Sequence, residues 1–333
     1  MSVRKAATIA ASMLMLIVFI RINDDVSGYL SSLKNTPSVA VSTMQLTSED
    51  EERQRLMSII SAEADQRRIA PEDARIDRVW KAIPGYNGLE VDIPKTLEAA
   101  LKEPSQSTIP YVFKEVEPKV KLNDLGAYPI YRGNANKKMI SFMINVAWGN
   151  EYIDSILKSL KQENVKATFF LDGSWLKKNA EIAKQIQAEG HEMSNHAYSH
   201  PDMSALSRQD QYNQIAKTEA LLKSTLNVTN RWFAPPSGDF NSATVQIAAQ
   251  SGLQTVLWTI DTVDWRKPPA DSIVRKIAAK LEPGSLILMH PTASSRDALP
   301  GMIAAAKAKG YAIGTVSETL SSKRIPAAVE GTD

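Results

Sequence analysis

Between Lys137 and Val316 the chain alternates regularly between two kinds of hydrophobic pattern. Short β-branched or aromatic runs, "MISFMINV", "KATFFL", "HEMSNH", "RWFAP", "QTVLWTI", "GSLILMH" and "YAIGTV", predict strands. The stretches between them, such as "EYIDSILKSLKQ", "WLKKNAEIAKQIQAEG" and "QYNQIAKTEALLKSTL", carry apolar positions three and four apart and predict amphipathic helices. About seven strands alternating with helices predict an α/β fold of parallel βα units, closed into a barrel or spread as a doubly wound sheet. Both topologies gather the residues at strand C-termini on one face, where βα loops build sites. Asn145, Asp172, His196, Pro235, Asp261 and His290 all stand at or just past such ends.

Upstream the pattern changes. Ala6 to Ile20 is an uncharged apolar run of 15 residues between Arg4-Lys5 and Arg21. It is apolar on every face, and no small-x-small cleavage site comes directly after it. Residues 1–21 are therefore expected to form an uncleaved signal anchor, with the rest of the chain extracytoplasmic and held at the membrane. A cleaved signal peptide and a secreted chain make the second reading, and a buried core helix the third. Residues 22–47 are polar and Ser/Thr-rich and predict a linker. Ser48 and Glu51 have the form of a capping box and open a helix expected to run to about Arg68. Residues 48–110 are then a small helical accessory region around Trp80, ending in an expected hinge at "EPSQSTIP" (Glu103–Pro110). That leaves 111–325 for the βα domain and 326–333 for a tail.

Composition narrows the chemistry. The 39 basic and 37 acidic side chains nearly cancel, so nothing electrostatic points to nucleic acid. The absence of cysteine excludes disulfides, thiolate metal sites and a cysteine nucleophile. Histidine is more telling. Three of the four cluster in "GHEMSNHAYSH", and the fourth, His290, ends an apolar run. His196 and His200 can face one point and suit a divalent ion such as zinc, but a hydrolytic metal site needs a third protein ligand and a position for water. A lone His-x-x-x-His is as compatible with a structural role as with a functional one. The strand that should supply a carboxylate ends instead in Asn145-Val146.

Five consecutive motifs between Met143 and His290, in a βα stretch of about 190 residues, give this pattern a family resemblance. They are "MINVAWG" (Met143–Gly149), His196-Ala-Tyr-Ser-His200, Ala234-Pro235-Pro236-Ser237, Asp261-Thr-Val-Asp264-Trp265 and Leu288-Met289-His290. In order and spacing the βα domain resembles the polysaccharide deacetylase (NodB-homology) family, carbohydrate esterase family four. The Trp-Gly ending of the first motif is similar to a sporulation-associated Gram-positive subgroup. The resemblance implies a distorted (β/α) barrel that removes acetyl groups from N-acetylated glycans such as peptidoglycan or chitin. It implies His196 and His200 as metal ligands and His290 as the acid that protonates the leaving amine, with Asp261 holding that imidazole. It also implies Trp265 and Leu288 as walls of the acetyl pocket, and the backbone N–H of Ser237 as an oxyanion donor.

The departures are concentrated. Asn145 stands where the family has its catalytic base, and an amide cannot accept that proton at neutral pH. Val146 stands at the carboxylate ligand and Ala234 at the arginine that orients the base. Zinc affinity is therefore expected to be low. Val146 packs well at a strand end, and Asn145 could satisfy strand-end backbone groups. Asp172 is the first substitute carboxylate, weighed against a turn role, and Asp202 and Asp239 read as turn residues. His191 reads as structural, and Tyr198 and Trp148 as sugar-stacking or packing residues. The sequence leaves three functions open: a working de-N-acetylase, a slow one, or a non-catalytic protein that binds cell-wall glycan.

Overall fold

The computed structural model describes residues 48–102 and 108–325. The chain divides into two compact units, Met1–Leu56 and Met57–Asp333, the division falling inside the helix Ser48–Ala64. The expected anchor, linker and tail lie outside the described residues, as do residues 103–107 of the expected hinge. Among the described residues no helix is long and apolar enough to cross a membrane.

The helix that opens at Ser48 ends at Ala64 rather than near Arg68. The segment after it is not the helical region expected. A hairpin pairs β1 (Arg75–Asp77) with β2 (Lys81–Ile83), and β3 (Gly88–Val91) pairs antiparallel with β4 (Phe113–Val116). The helix Ile93–Lys102 lies between β3 and β4. Strands of three or four residues are too short to display alternation, which is why the sequence concealed them. Because β3 pairs with β4 beyond residue 110, the expected boundary there cuts through a ladder.

The domain core is organised by β5 (Met139–Val146), buried at all eight positions. A strand covered on both faces in a parallel sheet reads as a continuous apolar run. Successive side chains alternate between those faces. Ile140, Phe142, Ile144 and Val146 enter a large cluster with helix residues Ile153, Ile156, Leu157 and Leu160. Met143 enters a second cluster with Phe170, Trp232, Ala234 and Leu286. Asn145 is next along that second face.

Further strands are β6 (Thr168–Leu171), β7 (Glu192–Asn195), β8 (Trp232–Phe233), β9 (Gln254–Thr255), β10 (Ile260–Asp261), β11 (Leu286–Met289) and β12 (Ala312–Gly314). All pair in parallel, in the spatial order β10-β11-β5-β6-β7-β8-β9, and β12 joins the N-terminal half of β5. The run "QTVLWTI", expected as one strand, is two. It leaves one sheet edge after Thr255 and reaches the opposite edge at Ile260. Four residues link the two edges, so the sheet must curl back on itself as an incomplete barrel. Ile130 lies at that seam, donating its N–H to Thr255 O at 2.9 Å and accepting from Leu257 N at 2.8 Å.

Candidate active site

The C-terminal ends of these strands surround a cavity of about 470 Å³ lined by Asn145, Trp148, His200, Ser237, Trp258, Asp261, Trp265, Leu288 and His290. Local backbone devices place each group. Past β7, Asn195 Oδ1 accepts the N–H of Ala197 at 2.8 Å, and Ala197 takes a left-handed φ of 60°. This turn carries His196 beside Ala234, whose carbonyl accepts from His196 Nδ1 at 2.7 Å. A carbonyl can only accept, so the proton is on Nδ1 and Nε2 keeps its lone pair. Burial, then the neighbouring His200, push the His196 imidazole down to about 3, so it is neutral at physiological pH. The His200 ring stands edge-on to it, with centroids 5.2 Å apart.

The second half of the site forms between β10 and β11. Asp261 Oδ1 accepts the N–H of Val263 at 2.7 Å, and Val263 adopts a left-handed φ of 58°. That conformation is uncommon for a β-branched residue, and it turns the chain so that Asp264 lies beneath His290. Asp264 Oδ1 accepts from His290 Nδ1 at 2.8 Å, and Oδ2 accepts the His290 backbone N–H at 2.7 Å. The hydroxyls of Thr292 and Ser295 donate to the same carboxylate. Burial alone would raise the Asp264 pKa, but the hydrogen bond and charge of His290, with the Ser295 and backbone bonds, hold it below the usual range. The role expected of Asp261, holding the His290 imidazole, thus belongs to Asp264. Asp261 forms the turn and lines the cavity.

Trp148 completes this side. Its indole stacks on His290 at 5.4 Å and 15°, and meets His200 edge-on at 6.2 Å. Gly149 makes the approach possible. Its φ is 85°, and a Cβ there would fall 2.0 Å from Pro291 O. Ser237, also left-handed at φ 55°, lines the same cavity. Beside it Gly238 lets Trp258 press close, since a Cβ would meet that ring at 2.7 Å. Trp265 is half exposed, with the Arg266 guanidinium 4.7 Å from its ring centroid. Trp258 escaped sequence reasoning because it sits inside an apolar run, where a tryptophan reads as core.

At the departures from the family pattern, Asn145 is 3% exposed and its Oδ1 finds no hydrogen-bond partner among the described residues. The expectation that it satisfies strand-end backbone groups therefore fails for that oxygen. Val146 and Ala234 are fully buried in the two apolar clusters. Asp172 is an N-cap, with Oδ1 accepting from Trp175 N at 2.9 Å and Ser174 Oγ at 2.6 Å. Asp239 binds the backbone and hydroxyl of Ser204, and Asp202 precedes a short 3₁₀ turn. His191 lies at the other end of β7, accepting from Ala167 N at 3.2 Å. Among the described residues no group of three His, Cys, Asp or Glu side chains could hold a metal ion. Two imidazoles without a carboxylate do not fit a catalytic zinc centre, which takes three protein donors.

A curled parallel sheet carrying this histidine and tryptophan pocket defines a class, and comparison with known proteins agrees: the chain belongs to the polysaccharide deacetylase family. The family model for polysaccharide deacetylase matches residues 132–256. The chain is 44% identical over 262 residues to the uncharacterised protein YlxY of Bacillus subtilis, covering 79% of this chain and 82% of that one. It is 33% identical over 221 residues to a peptidoglycan-N-acetylglucosamine deacetylase of Bacillus cereus, covering 61% and 80%. Among solved structures, wild-type BA3943 of Bacillus anthracis, described as a CE4 family pseudoenzyme, superposes with a TM-score of 0.75 at 45% identity. That match covers 81% of this chain and 96% of BA3943. A BA3943 mutant, similar to this chain at 44% identity, is described as a pseudoenzyme with restored enzymatic activity.

Proposed function

We propose that this chain is an extracytoplasmic deacetylase homologue that holds N-acetylated cell-wall glycan in the cavity and releases acetate slowly at best. One observation carries the reading: the acid half of the site is complete and the base half is not. Asp264 accepts the Nδ1 proton of His290, which leaves Nε2 to hold a proton for a departing amine. Trp265 and Leu288 offer apolar walls for an acetyl methyl. Opposite them Asn145 cannot take a proton from water, and Ala234 has no charge to orient a base. General-base catalysis typically supplies ~10²–10⁴ in rate, so turnover should fall by at least that factor. With two imidazole donors, zinc is expected to bind weakly. The apolar run Ala6–Ile20 motivates the proposed location at the outer face of the membrane.

A non-catalytic glycan-binding role is the second reading, favoured by the likeness to BA3943, itself described as a pseudoenzyme. Acetate release from peptidoglycan separates the two. Residual turnover abolished by His290→Ala supports slow catalysis. No turnover, with glycan binding that Trp265→Ala weakens, supports the binding role. The triple variant Asn145→Asp, Val146→Asp, Ala234→Arg should gain zinc affinity and acetate release, with some loss of stability because Val146 is fully buried. A folded triple variant that stays inert would show that these positions are assigned wrongly.

A further inference from the structure

We infer that a second cavity, at the other end of the barrel strands, binds the carboxyl end of a short peptide through Arg231 and His191. The inference does not depend on the glycan reading. This cavity measures about 300 Å³, and Gln187, His191, Glu192, Met193, Val228 and Arg231 are among its walls. His191 directly precedes β7 and Arg231 directly precedes β8, and the two strands are parallel neighbours. Both side chains therefore belong to the N-terminal ends of the strands, whereas the histidine and tryptophan pocket lies at the C-terminal ends. The N-terminal face of a βα barrel ordinarily serves stability, so polar groups left unused there call for a partner.

Two donors are unused. His191 is 6% exposed, and its Nδ1 accepts from Ala167 N at 3.2 Å. Burial keeps the imidazole neutral at physiological pH, so its one proton is on Nε2. That N–H has no hydrogen-bond partner among the described residues, and Nε2 is not sealed from solvent, so it opens on the cavity that His191 lines. The Arg231 guanidinium makes no hydrogen bond or ion pair among the described residues either, and lies 5.7 Å from the Trp232 ring centroid.

These groups select the ligand. A guanidinium and an imidazole N–H can only donate, and the guanidinium matches a planar carboxylate with two parallel bonds. Glu192 shares the cavity, but its carboxylate already accepts from Thr168, Trp232 and Ser317, so it has little call for a cation. Its charge also disfavours a dianion such as phosphate. Gln187 donates its Nε2 to Leu226 O at 2.8 Å, which leaves Oε1 without a partner among the described residues and free to accept an amide N–H. Met193 and Val228 add apolar surface. Donors for a carboxylate, an acceptor for an N–H and an apolar wall together suit the last residue of a peptide.

Titration of the full chain with N-acetyl-alanyl-alanine, read by NMR from carbon-13-labelled methionine methyls, tests this. The Met193 signal, identified by its loss in Met193→Leu, should shift saturably with a midpoint of about 1 mM or below. The same peptide ending in a carboxamide should bind about tenfold more weakly or worse, because the charge-assisted bonds are lost. Arg231→Gln and His191→Asn should each weaken the acid about tenfold, with unfolding temperatures measured in parallel. Arg231 is exposed, so its variant keeps the test decisive even where His191→Asn disturbs the fold. No shift at about 10 mM peptide overturns the site. Equal binding of acid and carboxamide, or a shift that survives both substitutions, overturns it too. Inorganic phosphate that binds as tightly as the peptide would make this a general anion site and overturn the peptide assignment.

Discussion

Asp264 has no solvent exposure, a position where an unpaired carboxylate would give up its charge. It stays ionised because the ring and backbone of His290 and the hydroxyls of Thr292 and Ser295 all donate to it. His191 shows the opposite case. Burial first, then the charge of Lys166, push its imidazole down to about 4. Its Nδ1 must stay unprotonated to accept from Ala167 N. The unfolded chain, with an ordinary histidine pKa of about 6.5, binds the proton more readily, so this residue's contribution is complete above that pH and lost as pH falls towards 4. The unfolding temperature should drop by several degrees across that window, and His191→Asn, which retains an acceptor, should flatten the drop. An unchanged slope would remove His191 from the account. The sequence marked His196, His200 and His290 by type and position and Asn145 by its place at a strand end, while Trp265 entered only through the family resemblance. It gave the imidazole to Asp261, through the family resemblance, where the structure gives it to Asp264. That depends on a left-handed Val263, a conformation that valine's own preference argues against.

At the scale of elements, the turn after β5 decides the pocket's shape. Gly149 takes a backbone conformation and a proximity to Pro291 O that no side chain shares. Gly149→Ala should cost about 1–3 kcal/mol or more, and it should also move Trp148 off His290. Calorimetry reads the first effect, and near-ultraviolet circular dichroism of the indole reads the second. A native spectrum with an unchanged melting temperature would mean the turn relaxes freely. Elements of this domain were legible in proportion to their length. β5 was read with its observed bounds from an eight-residue run with six apolar side chains, and the long helices from their spacing. β8, β9 and β10 have two residues each, and pairing rather than pattern defines them.

For the molecule as a whole, Ile130 ties the parts together within residues 57–325. It bridges Lys81 and Ala82 of the hairpin and Val256 after β9, and it is 1% exposed. Asn87 and Arg324 add bonds between the early ladders and the chain's later segment: Asn87 N donates to Ser322 O at 2.8 Å, and an Arg324 guanidinium nitrogen donates to Asn87 O at 2.7 Å. The early segment and the barrel should therefore melt in one transition, and Ile130→Ala should lower its free energy by about 2–5 kcal/mol. Two separate calorimetric peaks would instead vindicate a boundary near residue 110. That boundary looked sound in the sequence because a polar stretch marks it, while the ladder that crosses it is made of residues far apart in the chain.

Ala197, His200, Ser237 and Val263 all adopt left-handed backbone without being glycine; His200 and Ser237 line the cavity, and the other two set the turns that carry His196 and Asp264. Such conformations draw on the energy of folding, on the order of 1 kcal/mol or more apiece. The cost is met before any visitor arrives, so a guest finds walls already set and surrenders little freedom of theirs on entry. Affinity here would come from a mould cast in advance, whether or not chemistry ensues.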